Sequence, residues 1–187
     1  MMNIILGLML LTQVETPAAQ ESTGAGGGRI LVVYYSRSGT TARIGRELAQ
    51  ALGADAEMIR DTRGRGGFFG WMRSGYEATM KVRPAILPTA KDPADYDLVV
   101  LGTPVWAGTM SSPMRTYIYQ NREKFKSVAF FCTQGAETEQ RAFDDMADLC
   151  NMTPVATLSL QHDVVAKGDY RAQLDEFANS VKEEAGY

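Results

Sequence analysis

The sequence has few of the residues that build metal centres or disulfide frameworks. It contains 187 residues but only two cysteines, Cys132 and Cys150, and a single histidine, His162. The cysteines show neither a C-x-x-C spacing nor another metal-binding spacing, so we expect both to be buried structural thiols. One histidine does not supply a zinc site or a Ser-His-Asp triad. We expect His162 to be a polar residue beyond the last strand, and we predict no metal site.

The sequence also has no large excess of charge of either sign. Its formal net charge is −3, and 45% of its residues are hydrophobic while 22% are charged. These values are typical of a globular protein of one domain. A protein that binds nucleic acid through a basic surface needs a clear positive excess, so we predict no nucleic-acid partner.

No apolar run is long enough to span a membrane, which takes about 18 residues, so we predict no stable membrane insertion. Residues 4–11 form a short apolar run, and residues 12–28 are polar and glycine-rich. The run is similar to the core of a secretory signal, but no Lys or Arg precedes Arg29. Two alternatives stay open: residues 1–19 are a signal peptide of an exported protein, or the start codon of a cytoplasmic protein was assigned upstream. We favour the cytoplasm, with residues 1–28 as a tail and residues 29–187 as one domain.

Apolar runs alternate with helical patterns through the whole domain. The predicted strands are residues 29–35, 54–60, 97–102, 128–132 and 155–160, and the predicted helices are residues 40–52, 71–81, 113–122, 137–150 and 171–185. Five strands that alternate with helices predict an α/β fold with a doubly wound, five-stranded parallel sheet.

The first predicted strand leads into a turn rich in hydroxyl groups, which opens a helix. The turn consists of Ser36, Arg37, Ser38, Gly39, Thr40 and Thr41. A helix start has unpaired N–H groups and a partial positive charge, so phosphate binds there readily. The turn lacks the lysine of a P-loop and the G-x-G-x-x-G of a dinucleotide site. The alternative is an ordinary turn whose Ser and Thr residues cap the helix.

Two more predicted strands end in loops at the same edge of the sheet. The loop after residues 97–102 contains Thr103, Pro104, Val105, Trp106, Ala107 and Gly108, and the loop after residues 128–132 contains Thr133, Gln134 and Gly135. Open α/β sheets bind ligands at the carboxyl ends of their strands. Trp106 is therefore a candidate ligand contact, and the alternative is a tryptophan of the core.

Together, the segments Y-S-R-S-G-T-T, T-P-V-W-A-G-T and F-F-C-T-Q-G-A resemble the flavodoxin family, over residues 28–187. The resemblance implies the strand order 2-1-3-4-5 and flavin mononucleotide (FMN) as the cofactor. It implies that the first loop holds the phosphate, that Trp106 lies against the flavin ring, and that the second and third loops meet the polar edge of the ring. All fifteen loop residues named above are thus predicted to bind FMN.

Flavodoxins usually place a second aromatic residue on the third loop, but residues 133–138 contain none. One face of the flavin is therefore expected to be open to a substrate. We predict either electron transfer with a redox partner protein or reduction linked to NAD(P)H or a quinone, and the sequence leaves open whether the protein is an enzyme. With a net charge of only −3, the sequence also lacks the large acidic excess that would give the strongly acidic surface expected of a dedicated electron carrier. The alternative is a module without flavin that binds another phosphate-bearing ligand.

Residues 60–83 contain six basic, two acidic and four aromatic residues. Four glycines lie close together in this segment, at positions 64, 66, 67 and 70. The local charge of +4 and the glycines suggest a lid whose Arg residues, Arg63 and Arg65 among them, favour an anionic substrate. The alternative is a solvated basic loop followed by a helix whose aromatic residues pack on the core.

Overall fold

The computed structural model describes residues 28–62, 64–135 and 141–187. The predicted tail therefore lies almost wholly outside the described residues. The strands are β1 (Ile30–Tyr35), β2 (Asp55–Ile59), β3 (Leu98–Trp106), β4 (Thr109–Met110), β5 (Val128–Gln134) and β6 (Thr157–Gln161). The helices are α1 (Thr40–Leu52), α2 (Gly67–Thr79), α3 (Ser112–Asn121), α4 (Ala142–Cys150), α5 (His162–Lys167) and α6 (Arg171–Glu184).

Five of the strands form a parallel sheet in the order β2-β1-β3-β5-β6. In terms of the five predicted strands this is the order 2-1-3-4-5, so the predicted fold class is confirmed. The chain reverses direction across the sheet between β1 and β3, where a crevice opens at the carboxyl edge. The loops after β1, β3 and β5 all meet at that edge.

Apolar side chains of the central strands point alternately to two helical layers. In β1, Val32 and Tyr34 pack in the layer that contains α1 and α6, whereas Leu31 and Val33 pack in the layer that contains α3 and α4. All residues of β1 are buried. A strand covered on both faces reads as a continuous apolar run, which is why the sequence predicts it well.

Gly45 allows α1 to lie close to β1. A Cβ atom at Gly45 would be 2.4 Å from Cδ1 of Tyr34, which is shorter than any normal contact. A larger residue would push the helix away from the sheet. The close packing therefore fixes the first turn of α1 directly above the end of β1.

Several element bounds differ from the predictions, and β4 and α5 were not predicted. Strand β3 continues past residue 102 because β5 runs beside it, with Pro104 opposite Thr133. Pro104 lies beyond the last residue of β3 that pairs with β1, where its missing N–H breaks no ladder. Helix α2 begins earlier than residue 71, at Gly67. The described part of the fourth predicted helix starts at Ala142, since residues 136–140 lie outside the described residues.

Candidate functional site

A cleft of about 520 Å³ opens at the carboxyl edge of the sheet. This volume is within the range of small-molecule sites, about 300–1,000 Å³. Three walls come from the loops predicted to bind a ligand, and a fourth comes from α2. The lining residues are Arg37, Ser38, Trp71, Met72, Ser74, Gly75, Tyr76, Pro104, Val105, Trp106, Ala107, Thr133, Gly135 and His162.

The first loop leaves the start of α1 without a side-chain cap. The residue before the helix is Gly39, whose φ of 100° is accessible to glycine at little cost. Its N–H donates to Oγ of Ser36 at 3.1 Å, which tightens the turn. No side chain caps α1, and its first turn carries no acidic residue. The alternative prediction of hydroxyl caps on this helix is therefore wrong.

The predicted residues of the first loop take different positions. Arg37 and Ser38 are exposed and line the cleft, and with Ser36 they also line a smaller cavity of about 380 Å³ beside it. Thr41 is buried, and its hydroxyl lies 2.8 Å from the hydroxyl of Thr133. Thr41 thus joins the first and third loops. Gly39 and Thr40 lie at the helix start, outside the lining of the cleft.

The second loop is a tight hairpin formed by β3 and β4. Trp106 pairs with Thr109, and the two residues between them have positive φ, 49° at Ala107 and 75° at Gly108. This is the pattern of a type I′ hairpin, which matches the twist of the strands it joins. Thr103 is buried at the base and accepts a hydrogen bond from the N–H of Ser111 at 2.9 Å.

Polar contacts from α3 and α4 anchor the hairpin. Arg115 donates to Oγ1 of Thr109 at 3.0 Å, and the Thr109 hydroxyl donates to the Asp145 carboxylate. The backbone N–H of Arg141 donates to the carbonyl of Gly108 at 2.7 Å. Burial lowers the pKa of Arg115, although the Asp145 charge favours its protonated form. These contacts hold the Trp106 turn at a fixed height above the sheet.

Trp106 lies between the cleft and a buried aromatic contact. Its ring meets Tyr35 edge to face, with centroids 5.6 Å apart and an angle of 88°. The Arg65 guanidinium carbon lies 5.3 Å from the ring centroid. The side chain is half-buried and also lines the cleft. It therefore belongs both to the edge of the core and to the candidate site.

Arg65 is held in a buried network of charges under α2. It pairs with the Asp61 carboxylate, and its Nη2 lies 2.7 Å from Oε2 of Glu77. Nε of Arg73 donates to the other oxygen of Glu77 at 2.8 Å. Burial raises the pKa of Glu77, but hydrogen bonds and charges from Arg73 and Arg65 outweigh it and lower the pKa. The charge of Arg65 is thus matched by carboxylates, and Arg63 lies outside the described residues.

Helix α2 supplies the wall that the sequence did not assign to the cofactor site. Trp71, Met72 and Tyr76 line the cleft yet remain largely exposed. The alternative prediction, in which the aromatic residues of this segment pack on the core, is therefore wrong. The buried side of α2 is the side whose Glu77 pairs with Arg65 and Arg73. The hydrophobic periodicity of the helix does not identify that side.

The third loop contributes Thr133 and Gly135 to the cleft. Gln134 turns toward β6, where its Nε2 donates to Oγ of Ser159 at 3.3 Å. His162 also lines the cleft, directly after the carboxyl end of β6. The rule that ligands bind beyond the carboxyl ends of parallel strands could have identified it.

Within the described ranges, no group of three or more His, Cys, Asp or Glu residues is placed to hold a metal ion. In the same part of the chain, no helix has the length and apolar character needed to cross a membrane.

The donors of the cleft fit a flavin mononucleotide. Beside the cleft, the start of α1 offers backbone N–H groups that no side chain caps. The hydroxyl of Ser38 belongs to the lining of the cleft, and that of Thr40 lies at the helix start just outside the lining. Such a donor set suits a phosphate monoester. The indole of Trp106 offers a flat apolar surface for a ring system, and polar loop ends lie beside it.

Known structures share this fold. A protein from Bacteroides eggerthii assigned as a flavoprotein is 27% identical, with a TM-score of 0.63 over 81% of this chain and 98% of its own. A flavoprotein from Lactobacillus acidophilus, determined in complex with FMN, is 21% identical, with a TM-score of 0.62 over 75% of this chain and 97% of its own. None of the curated proteins matches the sequence significantly.

The sequence itself matches a family model described as flavodoxin over residues 29–169. The match spans well over half of the chain and includes the first, second and third loops. It confirms the family that the three segments predicted, and FMN is the cofactor of that family. The chain therefore belongs to the flavodoxin family.

Proposed function

We propose that the chain binds FMN in the cleft and uses it for redox chemistry, either electron transfer with a protein partner or reduction coupled to NAD(P)H or a quinone. The observation that carries the proposal is the position of the uncapped start of α1 directly after Ser38, which lines the cleft together with Trp106. The start of α1 suits a phosphate, and the wall that Trp106 forms suits a flavin ring. FMN supplies the hydride and electron chemistry once it is bound.

The protein's own groups would bind and orient the cofactor. Ser38, Thr40 and the first N–H groups of α1 hold the phosphate. Because the phosphate is at the opposite end of the cofactor from the ring, this contact fixes where the ring lies. Trp106 packs against the ring, and the anchored hairpin keeps the indole in place. Backbone groups of the second and third loops are available to the polar edge of the ring. Helix α2 limits the access of water from the remaining side.

Between a carrier and a reductase, the third loop favours the reductase. Residues 133–138 contain no aromatic residue that would cover the second face of the flavin. A substrate can then approach that face. For a quinone the overall reaction would be NAD(P)H plus quinone plus a proton, giving NAD(P)⁺ and hydroquinone, so that two electrons pass from the nucleotide to the quinone.

Absorption spectra and turnover would test both parts of the proposal. The purified protein should show flavin absorption, and phosphate analysis of the released cofactor should identify FMN. A reductase should then oxidise NADPH or NADH continuously when a quinone is present. Flavin that is reduced chemically but not by either nucleotide would favour the electron carrier. Purified protein that neither contains FMN nor takes it up would contradict the proposed function.

A further inference from the structure

Helix α2 carries most of its apolar residues on its exposed side, part of which also lines the cleft. The residues that it buries are Gly70, Ser74, Glu77 and Ala78, of which only Ala78 is a clear apolar packing residue. The outward face, defined as Phe68, Phe69, Trp71, Met72 and Tyr76, is at least half exposed at every position. A surface helix normally has the opposite arrangement.

The buried side of α2 explains how such a helix stays in place. Glu77 pairs with Arg65 and Arg73, and Ser74 donates to the carbonyl of Gly70 at 2.7 Å. A Cβ atom at Gly70 would lie 2.5 Å from the carbonyl oxygen of Arg65, so the helix packs closely on that backbone. Polar contacts and close backbone packing thus fix α2, and the folded chain does not need its aromatic residues for this purpose.

The charges around the outward face are one-sided. The two acidic residues of the segment, Asp61 and Glu77, have side chains that are almost entirely buried. Arg60, Lys81 and Arg83 flank the helix in the sequence and are exposed. Lys81 also lies 3.5 Å from a carboxylate oxygen of Asp145, and the Arg83 guanidinium lies over the ring of Tyr119. The described part of this surface therefore presents aromatic side chains beside cations, without an exposed acidic group between residues 60 and 83.

We propose that the outward face of α2 docks on an anionic lipid bilayer. Aromatic side chains beside Lys and Arg are the composition that binds a helix in the plane of a membrane interface. Phe68 and Phe69, 67% and 84% exposed, have no polar atom and would enter the acyl boundary. Trp71 and Tyr76 have an N–H and an O–H that headgroups can bind. This contact is peripheral and needs no helix that spans the bilayer.

Charge complementarity favours lipid over a second copy of the chain. Two copies that meet through this face would bring Arg60, Lys81 and Arg83 of each copy close to those of the other, and residues 60–83 offer no exposed acid to offset them. An anionic bilayer attracts the same cations. A bilayer also accepts protruding phenylalanines in any orientation, whereas a protein partner must offer pockets that match them. Because Trp71, Met72 and Tyr76 also line the cleft, docking would place its entrance beside the lipid surface.

Vesicle sedimentation with the full chain would test this proposal. The probes are vesicles of phosphatidylcholine alone and of phosphatidylcholine mixed with phosphatidylglycerol. The variant is the double substitution Phe68→Ser and Phe69→Ser, and the matched control is Tyr187→Ser, which removes another exposed aromatic side chain at the far end of the sequence. Circular dichroism and FMN content verify that each variant is folded.

The wild-type protein should bind the anionic vesicles about tenfold or more tightly than the neutral ones, and high salt should weaken that binding. The double variant should lose at least about tenfold in affinity while the control does not. No binding to anionic vesicles, or binding that is equal in the double variant, would overturn the proposal. A dimer that the double variant dissociates, without vesicle binding, would assign the face to a second copy instead.

Discussion

The guanidinium of Arg65 lies over the ring of Trp106, 5.3 Å from its centroid, while it pairs with Asp61 and Glu77. One buried side chain therefore links the segment after β2, helix α2 and the tryptophan of the candidate site. The contact couples the position of α2 to that of the hairpin. Substitutions at Arg65 should affect both the stability of the fold and the environment of Trp106.

Replacement of Arg65 by methionine should destabilise the protein by about 3–5 kcal/mol, because it leaves two buried carboxylates without their shared cation. Chemical denaturation measures this loss. The matched control is Lys167→Met, which removes an exposed partner of Asp163 and should cost about 1 kcal/mol or less. Equal effects of the two substitutions would mean that the buried network contributes no more than a surface pair.

The same network predicts a loss of stability in acid. The pKa of Glu77 is lower in the folded protein than its ordinary value of about 4.3, since hydrogen bonds and charges of Arg73 and Arg65 outweigh burial. The stabilisation is fully present above the ordinary value and is lost as the pH falls through the lower folded pKa. Unfolding free energy should therefore decrease below about pH 4.3, and Glu77→Gln should reduce that slope. An unchanged slope in the variant would count against the shifted carboxyl.

Substitution of Trp106 by alanine should increase the fluorescence of bound FMN and weaken FMN binding. An aromatic contact adds roughly 0.5–1.5 kcal/mol beyond burial, which corresponds to a few-fold to about tenfold in affinity. Steady-state fluorescence of the loaded protein gives the first quantity and titration gives the second. The control is Trp71→Phe, which keeps a ring on the α2 wall. If the flavin of the alanine variant stays as quenched as in the wild type, Trp106 does not contact the ring.

Both cysteines should be unreactive in the folded protein. Burial raises the pKa of Cys132 to about 11 and that of Cys150 to about 12. Compared with a free thiol of pKa about 8.5, the thiolate fraction at pH 8 falls on the order of a hundredfold or more. Mass spectrometry after brief iodoacetamide treatment should show alkylation only when a denaturant is present. Rapid alkylation of either residue in the native protein would be inconsistent with this burial.

Several parts of the structure follow directly from the sequence, and others depend on contacts that the sequence pattern does not reveal. Strands β1, β3 and β5 are predictable because each contains a continuous apolar run, and β6 is predictable because Leu158 and Leu160 alternate with polar residues. Helix α1 has the bounds expected from its periodicity. The sequence did not predict β4, since a two-residue strand has no periodicity. The Ala107-Gly108 pair next to Trp106 was the available signal.

The orientation of α2 was the main feature that the sequence left unassigned. Its aromatic residues are compatible with a core helix, a lid or an exposed face, and only the pairing of Glu77 with Arg65 decides which side is buried. The i,i+4 spacings of Asp61 with Arg65 and of Arg73 with Glu77 were visible, but they are also typical of exposed helix faces. The predicted anionic-substrate lid stays a prediction, with Arg65 now assigned to the buried network.

The central claim is that the start of α1 holds the phosphate of FMN, and titration of the cofactor-free protein tests it most directly. The wild type should bind one FMN per chain and should bind riboflavin much more weakly. Ser38→Ala and Thr40→Ala should each weaken FMN binding by about ten- to a hundredfold, because a hydrogen bond to a charged group contributes roughly 1.5–3 kcal/mol. Riboflavin affinity should not change, and Ser180→Ala, on the exposed side of α6, should leave both affinities intact. Equal affinity for FMN and riboflavin in the wild type, together with unchanged FMN binding in both variants, would contradict the claim.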